Sequence, residues 1–131
     1  MGQQDKPEIG SITWVDLTVP NAAEVKDFYH QVVGWNTEPV SMGDYDDYNM
    51  NGPASGKTFA GICHARGVNS DLPAQWLIYI TVEDVDSSAA KVKELGGKII
   101  SGPNDMGSYG RSCVIQDPSG AVATLYQPAD Q

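Results

Sequence analysis

The sequence contains no apolar run of about 18 residues, the length a helix needs to cross a bilayer, so no membrane span is expected. The first residues, Met1 to Glu8, are polar and hold no apolar stretch of the kind a secretory leader carries. They read as a disordered tail, and no Sec signal is expected. Cysteine is scarce: Cys63 and Cys113 are the only two, and both lie inside apolar stretches. That placement suits buried free thiols better than a disulfide, and a cytoplasmic location is the expectation that follows. Cations are scarce as well, with 8 Lys and Arg against 17 Asp and Glu, a formal net charge of −9. The few cations are scattered and form no basic stripe, so no nucleic-acid partner is expected. An acidic surface can draw a cationic ligand, although solubility alone accounts for it. Linkers between separate domains and low-complexity tracts are absent too, and 131 residues fit one domain long enough to bury a core without staples.

What the chain does contain is an internal repeat. ITWVDLTVPNAAEVKDFYHQVVGWNTEPV, from Ile12, and QWLIYITVEDVDSSAAKVKELGGKIISGP, from Gln75, both read as strand, short turn, amphipathic helix, glycine, strand. An offset of 63 matches Thr18 to Thr81, Val19 to Val82 and Gly34 to Gly97 without a gap. Self-similarity of this kind implies one supersecondary unit used twice.

Each half can be read locally. Alternation over Ile12–Val19 puts Val15, Leu17 and Val19 on one face and Trp14, Asp16 and Thr18 on the other. Pro20-Asn21 ends the strand, and Glu24 stands at capping-box spacing from Asn21. Val25, Phe28, Tyr29, Val32 and Val33 recur at helical spacing and are expected to face inward, and Gly34 suits the left-handed position that ends a helix. A second helix is predicted over about Ser87 to Leu95, with Ala89, Val92 and Leu95 inward and Gly96-Gly97 as its stop. Three strands should follow the first helix, at about Asn36–Met42, Tyr45–Asn51 and Thr58–His64. Three more should follow the second, at about Lys98–Ser101, Arg111–Gln116 and Ala121–Gln127, the last two joined by an Asp117-Pro118-Ser119-Gly120 turn.

This layout resembles the vicinal-oxygen-chelate superfamily of glyoxalases, bleomycin resistance proteins and extradiol dioxygenases over about Ile9 to Pro128. The resemblance is carried by VPNAAEVKDFYHQVVGW after the first strand, by ITVEDVDSSAAKVKELGGKI, and by the QDPSGAVATLYQP hairpin. It implies an α+β fold of two tandem βαβββ modules, about residues 9–65 and 75–128 with a linker over 66–74. These would form a cup-shaped, partly open mixed sheet or barrel flanked by the helices. It also implies a pocket in the cup and a homodimer. Family enzymes place metal ligands at four positions, which register here as Trp14, Gly61, Leu77 and Thr124. The same offset of 63 relates Trp14 to Leu77 and Gly61 to Thr124. A divalent site needs imidazole, thiolate or carboxylate donors, and these four offer none, so neither a metal nor any other cofactor is expected.

The register also lists an expected pocket face. In the first half it holds Trp14, Asp16, Thr18, Gly61 and Cys63. In the second it holds Leu77, Tyr79, Thr81, Ser112, Val114, Val122, Thr124 and Tyr126. Apolar walls with a few orienting polar groups suit a small organic ligand. Asp16 is the candidate catalytic residue: mid-strand burial would raise its pKa and make it a base, or a counter-ion for a cationic ligand. The structural alternative is a carboxylate bonded to a neighbouring Tyr hydroxyl or Trp N–H. Tyr79 and Tyr126 are expected either to donate to a ligand oxygen or to pack as wall, and Trp14 to stack on a planar ligand. Cys63 and His64 alternate along one strand and are not expected to pair. His30 reads as a surface residue. Arg111 is either a carboxylate clamp at the rim or a surface cation. The stretch from Met42 to Lys57 is read as a lid or a solvated hairpin with a mobile centre.

Three functions follow as expectations. The first is metal-free binding of a small organic ligand, with a cationic one included, as in the bleomycin-resistance branch. The second is a metal-independent enzyme of lyase or isomerase type, with Asp16 acting as base on a small carbonyl metabolite. The third, a metal-dependent lyase or dioxygenase, is disfavoured by the four positions.

Overall fold

The computed structural model describes residues 6–130, so residues 1–5 of the expected tail lie outside the described residues. Eight strands and two helices run in the order β1 (Ile12–Val19), α1 (Ala22–Val33), β2 (Asn36–Ser41), β3 (Asp46–Asn51), β4 (Thr58–His64), β5 (Trp76–Thr81), α2 (Val85–Glu94), β6 (Lys98–Asp105), β7 (Arg111–Gln116) and β8 (Val122–Gln127). Strand pairing is mixed parallel and antiparallel, and the class is α+β. The described chain packs as two compact units, residues 14–76 and residues 6–13 with 77–130.

In the unit spanning 14–76 the strand order is β2-β3-β4-β1. β1 runs parallel to β4, and β4-β3 and β3-β2 are antiparallel. The alternation read from β1 holds. Leu17 and Val19 pack with Ala22, Met50, Ala60 and Ile62, and Val15, Val25 and Tyr29 close over them. Burial of each large member of that set contributes about 1.5–3 kcal/mol. Tyr29 also meets Trp35 and Trp76 ring to ring, and Trp76 Nε1 donates to Tyr29 Oη at 3.1 Å.

Helix α1 departs from its expected inward face. Phe28, Val32 and Val33 are more than half exposed, and only Ala22, Val25 and Tyr29 turn to the sheet. Five apolar positions spread over more of the helix surface than a four-stranded face can cover. The expected capping box is not formed either: Asn21 Nδ2 bonds the Glu24 side chain at 3.2 Å and caps no backbone N–H. Gly34 ends the helix as predicted, at φ 95° and ψ 7°, with its N–H on His30 O.

In the other unit the order is β5-β8-β7-β6, with β5 parallel to β8. Val85, Ala89 and Cys113 form its core, joined by Val82, Ile99, Ile115 and Leu125. The chain ahead of β1 is tied down here, through Gly10 N to Thr81 O and Thr81 N to Ser11 O. Helix α2 starts two residues earlier than predicted because Asp84 caps it, accepting from Asp86 N and Ser87 N. Leu95, expected inward, is 69 % exposed beyond the helix end. Strand β6 extends past Ser101 to Asp105, with register shifts along β7.

The parallel pairs repeat at one spacing. Asp16↔Gly61, Leu17↔Ile62 and Thr18↔Cys63 in β1-β4 recur as Tyr79↔Thr124, Ile80↔Leu125 and Thr81↔Tyr126 in β5-β8, each 63 residues on. The β7-β8 turn is built on Asp117, whose Oδ1 accepts from Ser119 N, Ser119 Oγ and Ala121 N. Those donors, the Ser119 hydroxyl foremost, hold its carboxyl below the usual range.

Candidate functional site

Strand register assembles the site in the unit spanning 14–76. Directly opposed residues of paired strands share a face, so the pairs Asp16↔Gly61, Asn49↔Gly61 and Glu38↔Asn49 line up as one row across β1, β4, β3 and β2. Thr18 and Cys63 are paired in the next row. The opposite face of the same strands carries Leu17, Met50 and Ile62, which are in the core.

At the centre of the row the missing side chain of Gly61 matters. A Cβ there would collide with Asp16 Oδ1 and come within 3.2 Å of Trp14 Cζ2, so the carboxylate and the indole occupy that volume. Trp14 Nε1 donates to Asp16 Oδ1 at 2.6 Å, a short, charge-assisted bond. The structural reading of Asp16 is therefore met in part, since a Trp N–H holds it. The same bond fixes the direction in which the half-buried carboxylate is presented.

Cys63 lies beside two carboxylates. Burial raises its thiol pKa far above the usual range, the negative charges of Asp16 and then Asp47 add to this, and the thiol hydrogen-bonds to Asp47. A thiol so held stays protonated and is a poor nucleophile. His64 does not activate it. The His64 ring packs edge-on to Tyr45, with centroids 5.4 Å apart. Its Nδ1 is 3.5 Å from Asp47 Oδ1, and its backbone N–H donates to the same oxygen at 2.8 Å.

In the other unit, Tyr79 pairs with Thr124 and Thr124 with Val114, which places these three expected lining residues in one row. Leu77, Ser112, Val114 and Thr124 are buried, and the Ser112 hydroxyl meets Met106 Sδ at 3.2 Å. Tyr79 and Tyr126 are half-buried, their rings 6.4 Å apart in an edge contact. Arg111 ion-pairs with Asp86 at 2.8 Å, the surface role rather than the clamp. His30 is exposed, with Nδ1 2.6 Å from Trp35 O.

Sequence reasoning missed Asp47 and Asn49. Both lie in the strand expected at about Tyr45–Asn51, which the structure shows as β3 paired on both sides, but that strand was not counted into the expected pocket face. The signal was present: β3 alternates, and Asp47, Asn49 and Asn51 fall on the face that also takes Gly61.

The four residues that the resemblance registers at the family's ligand positions offer no donor set suited to a divalent cation. The Trp14 indole nitrogen is a donor and is already bonded to Asp16, and Gly61 has no side chain. Leu77 is apolar and 1 % exposed, and Thr124 offers one hydroxyl at 2 % exposure. Among the described residues no group of three His, Cys, Asp or Glu side chains is placed to hold a metal ion. Among them, too, no helix is long and apolar enough to cross a membrane.

Comparison with known proteins agrees on the family. The model of the glyoxalase/bleomycin resistance protein/dioxygenase superfamily matches residues 11–124. A Mycobacterium bovis protein named "Putative glyoxylase CFP32" is 31 % identical over 95 % of this chain and 46 % of its own length. The anthracycline biosynthesis protein DnrV of Streptomyces peucetius is 29 % identical over 90 % of this chain and 47 % of its own. The chain thus spans about half the length of the curated relatives it matches. Among solved structures, methylmalonyl-CoA epimerase from Mycobacterium tuberculosis superimposes with a TM-score of 0.55 at 15 % identity, covering 98 % of this chain and 95 % of that one. At that identity the likeness concerns the fold. On the family model and the motifs together, the chain belongs to the glyoxalase/bleomycin resistance protein/dioxygenase superfamily.

Proposed function

We propose that this protein binds a small organic ligand without a metal, on the sheet face that carries Trp14, Asp16 and Cys63. One observation carries the reading. At two positions where the superfamily would place ligand side chains stand Trp14 and Gly61, and the space over Gly61 is filled by a carboxylate that the indole holds in place. A fixed, half-buried carboxylate beside an aromatic wall is the kind of orienting group a small-molecule site uses. Within the other unit, taken by itself, Tyr79 and Tyr126 are proposed as hydroxyl groups for ligand recognition, and Leu77, Ser112, Val114 and Thr124 as packing.

A thermal-shift screen of small hydroxylated and carbonyl compounds tests the reading. A ligand at about 100 times its Kd should add roughly 2.7 kcal/mol of stability. That gain should vanish in Asp16→Asn. A ligand that stabilises both proteins equally would remove Asp16 from the site.

A second reading has Asp16 as the base of a metal-independent lyase or isomerase acting on a small carbonyl compound. The fixed direction of its carboxylate favours this, because a base must be aimed before it can act. Several structural neighbours are named as epimerases, which is compatible with proton chemistry on this fold. Turnover of a bound compound, lost in Asp16→Asn with binding retained, would select the enzyme.

The two βαβββ halves are proposed to be repeats of one module. The identical spacing of the β1-β4 and β5-β8 pairs supports this. Homodimerisation is proposed from the family resemblance, and light scattering that returns a strict monomer at micromolar concentration would exclude it.

A further inference from the structure

We propose that the groove between α2 and the β7-β8 hairpin is a second ligand site, one that takes a flat aromatic carboxylate. The inference rests on the proposed repeat of one module and uses no residue of the face that carries Trp14 and Asp16.

The groove lies within the unit that holds α2 and β5 to β8. Its volume is about 310 Å3, and its apolar walls are Val82, Val92, Leu95, Ile115, Pro118 and Leu125. Val82, Val92, Ile115 and Leu125 are half-buried, and Leu95 and Pro118 are exposed. The volume is at the small end of the range for small-molecule sites, about 300–1,000 Å3, which leaves room for one or two fused rings.

The first half shows what such a space holds when it is filled. The spacing of 63 carries Val19 to Val82, Val25 to Ser88, Phe28 to Lys91 and Tyr29 to Val92. Tyr29 and Trp76 meet edge to face at 5.2 Å, Trp35 meets Trp76 at 6.0 Å, and all three pack on the first core. In the second half Val92 stands in the place of Tyr29 and Ser88 in that of Val25, and both line the groove. The side chains packed on Val85, Ala89 and Cys113 are all aliphatic. The space left beside α2 is therefore one that rings fill in the first half, and a flat aromatic molecule matches it.

Charge selects the acid. Lys91 lines the groove, and its Nζ is 3.8 Å from Glu94 Oε1 with both side chains more than half exposed, a loose pair. Its ammonium can exchange that partner for the carboxylate of a molecule seated in the groove. The other charged lining residue is Asp117, whose Oδ1 is engaged by Ser119 N, Ser119 Oγ and Ala121 N in its own turn. That carboxylate serves the hairpin and offers a ligand cation little.

The test titrates the whole 15N-labelled protein with indole-3-acetate and, separately, with tryptamine, which carries the same rings on an ammonium. Indole-3-acetate is expected to move the amide signals of Val92, Ile115 and Leu125 and to leave the Trp14 indole signal in place. Lys91→Glu should weaken it about two- to fivefold, the range of an exposed ion pair. Val92→Tyr, which puts back the ring of the first half, should raise Tm and weaken binding roughly tenfold or more. If indole-3-acetate moves no signal of α2 or the hairpin, or moves the Trp14 indole instead, the inference is overturned. If tryptamine binds and indole-3-acetate does not, the carboxylate assignment falls. If Val92→Tyr lowers Tm, the argument from the repeat falls, and Leu95→Ser, at an exposed position, decides on the groove alone. A loss of about threefold or more in that variant keeps the site, and an unchanged affinity overturns it.

Discussion

Replacing Gly61 with alanine adds one methyl group and should destabilise the protein well beyond what that change ordinarily does. Gly61 lies within β4 and is not among the glycines of positive φ, so its backbone accepts an L-residue. At such positions Gly→Ala commonly stabilises by about 0.4–1 kcal/mol, by narrowing the unfolded ensemble. Here the new Cβ would collide with Asp16 Oδ1 and crowd Trp14 Cζ2 at 3.2 Å. Asp16 must swing away, and the 2.6 Å bond from Trp14 is lost or stretched. Overpacking a well-filled site costs about 1–3 kcal/mol. Losing a hydrogen bond to a charged acceptor costs about 1.5–3 kcal/mol. Because the side chain relieves the clash by giving up the bond, the two costs overlap, and a net loss of roughly 2–4 kcal/mol is expected. Urea denaturation of wild type, Gly61→Ala, Asp16→Ala and the double variant would measure it. The double variant should recover at least about 1 kcal/mol relative to the sum of the singles, since residues in contact couple. If Gly61→Ala matches or exceeds wild-type stability, or if the two changes are additive, the carboxylate does not occupy the space over Gly61.

Three further predictions concern other groups. The Cys63 thiol holds its proton above the ordinary value of 9.0 when folded, by burial and then by the charges of Asp16 and Asp47, so stability should be lost as pH rises past about 9; Cys63→Ser should flatten that alkaline slope in pH-resolved denaturation, and native Cys63 should resist iodoacetamide at pH 8. The Asp117 carboxyl is held below its ordinary 3.8, so its contribution is present above that value and lost as pH falls through the lower folded value; Asp117→Ala should shallow the acid limb of the stability profile, and an unchanged limb would remove the turn's role. Asp84→Ala removes the cap on Asp86 N and Ser87 N and should cost about 1 kcal/mol by the same denaturation assay.

Periodicity carried most of the fold. Val15, Leu17 and Val19 alternate over a clean run, and each meets the core expected of it. The offset of 63, seen first in a handful of matched residues, reappears as paired strand partners. Helix faces were less legible, because spacing reports which residues share a side but not how wide a surface awaits them. Phe28, Val32, Val33 and Leu95 satisfy the pattern and remain exposed. For the site, alternation placed Asp16 and Cys63 on one face with Gly61. It did not yield Asp47 or Asn49: the strand that carries them was expected at about Tyr45–Asn51, but its alternation was not carried into the expected pocket face. The contact over Gly61 could not be foreseen, since it depends on the rotamers of two side chains from β1 reaching across to β4.

Native mass spectrometry of the purified protein with one to five equivalents of zinc or nickel tests the central claim most directly. The account predicts no one-to-one metal complex above the level seen for Asp16→Asn, because Trp14 and Asp16 fill the place over Gly61. A stoichiometric complex in the unaltered protein that disappears in Asp16→Asn would contradict it.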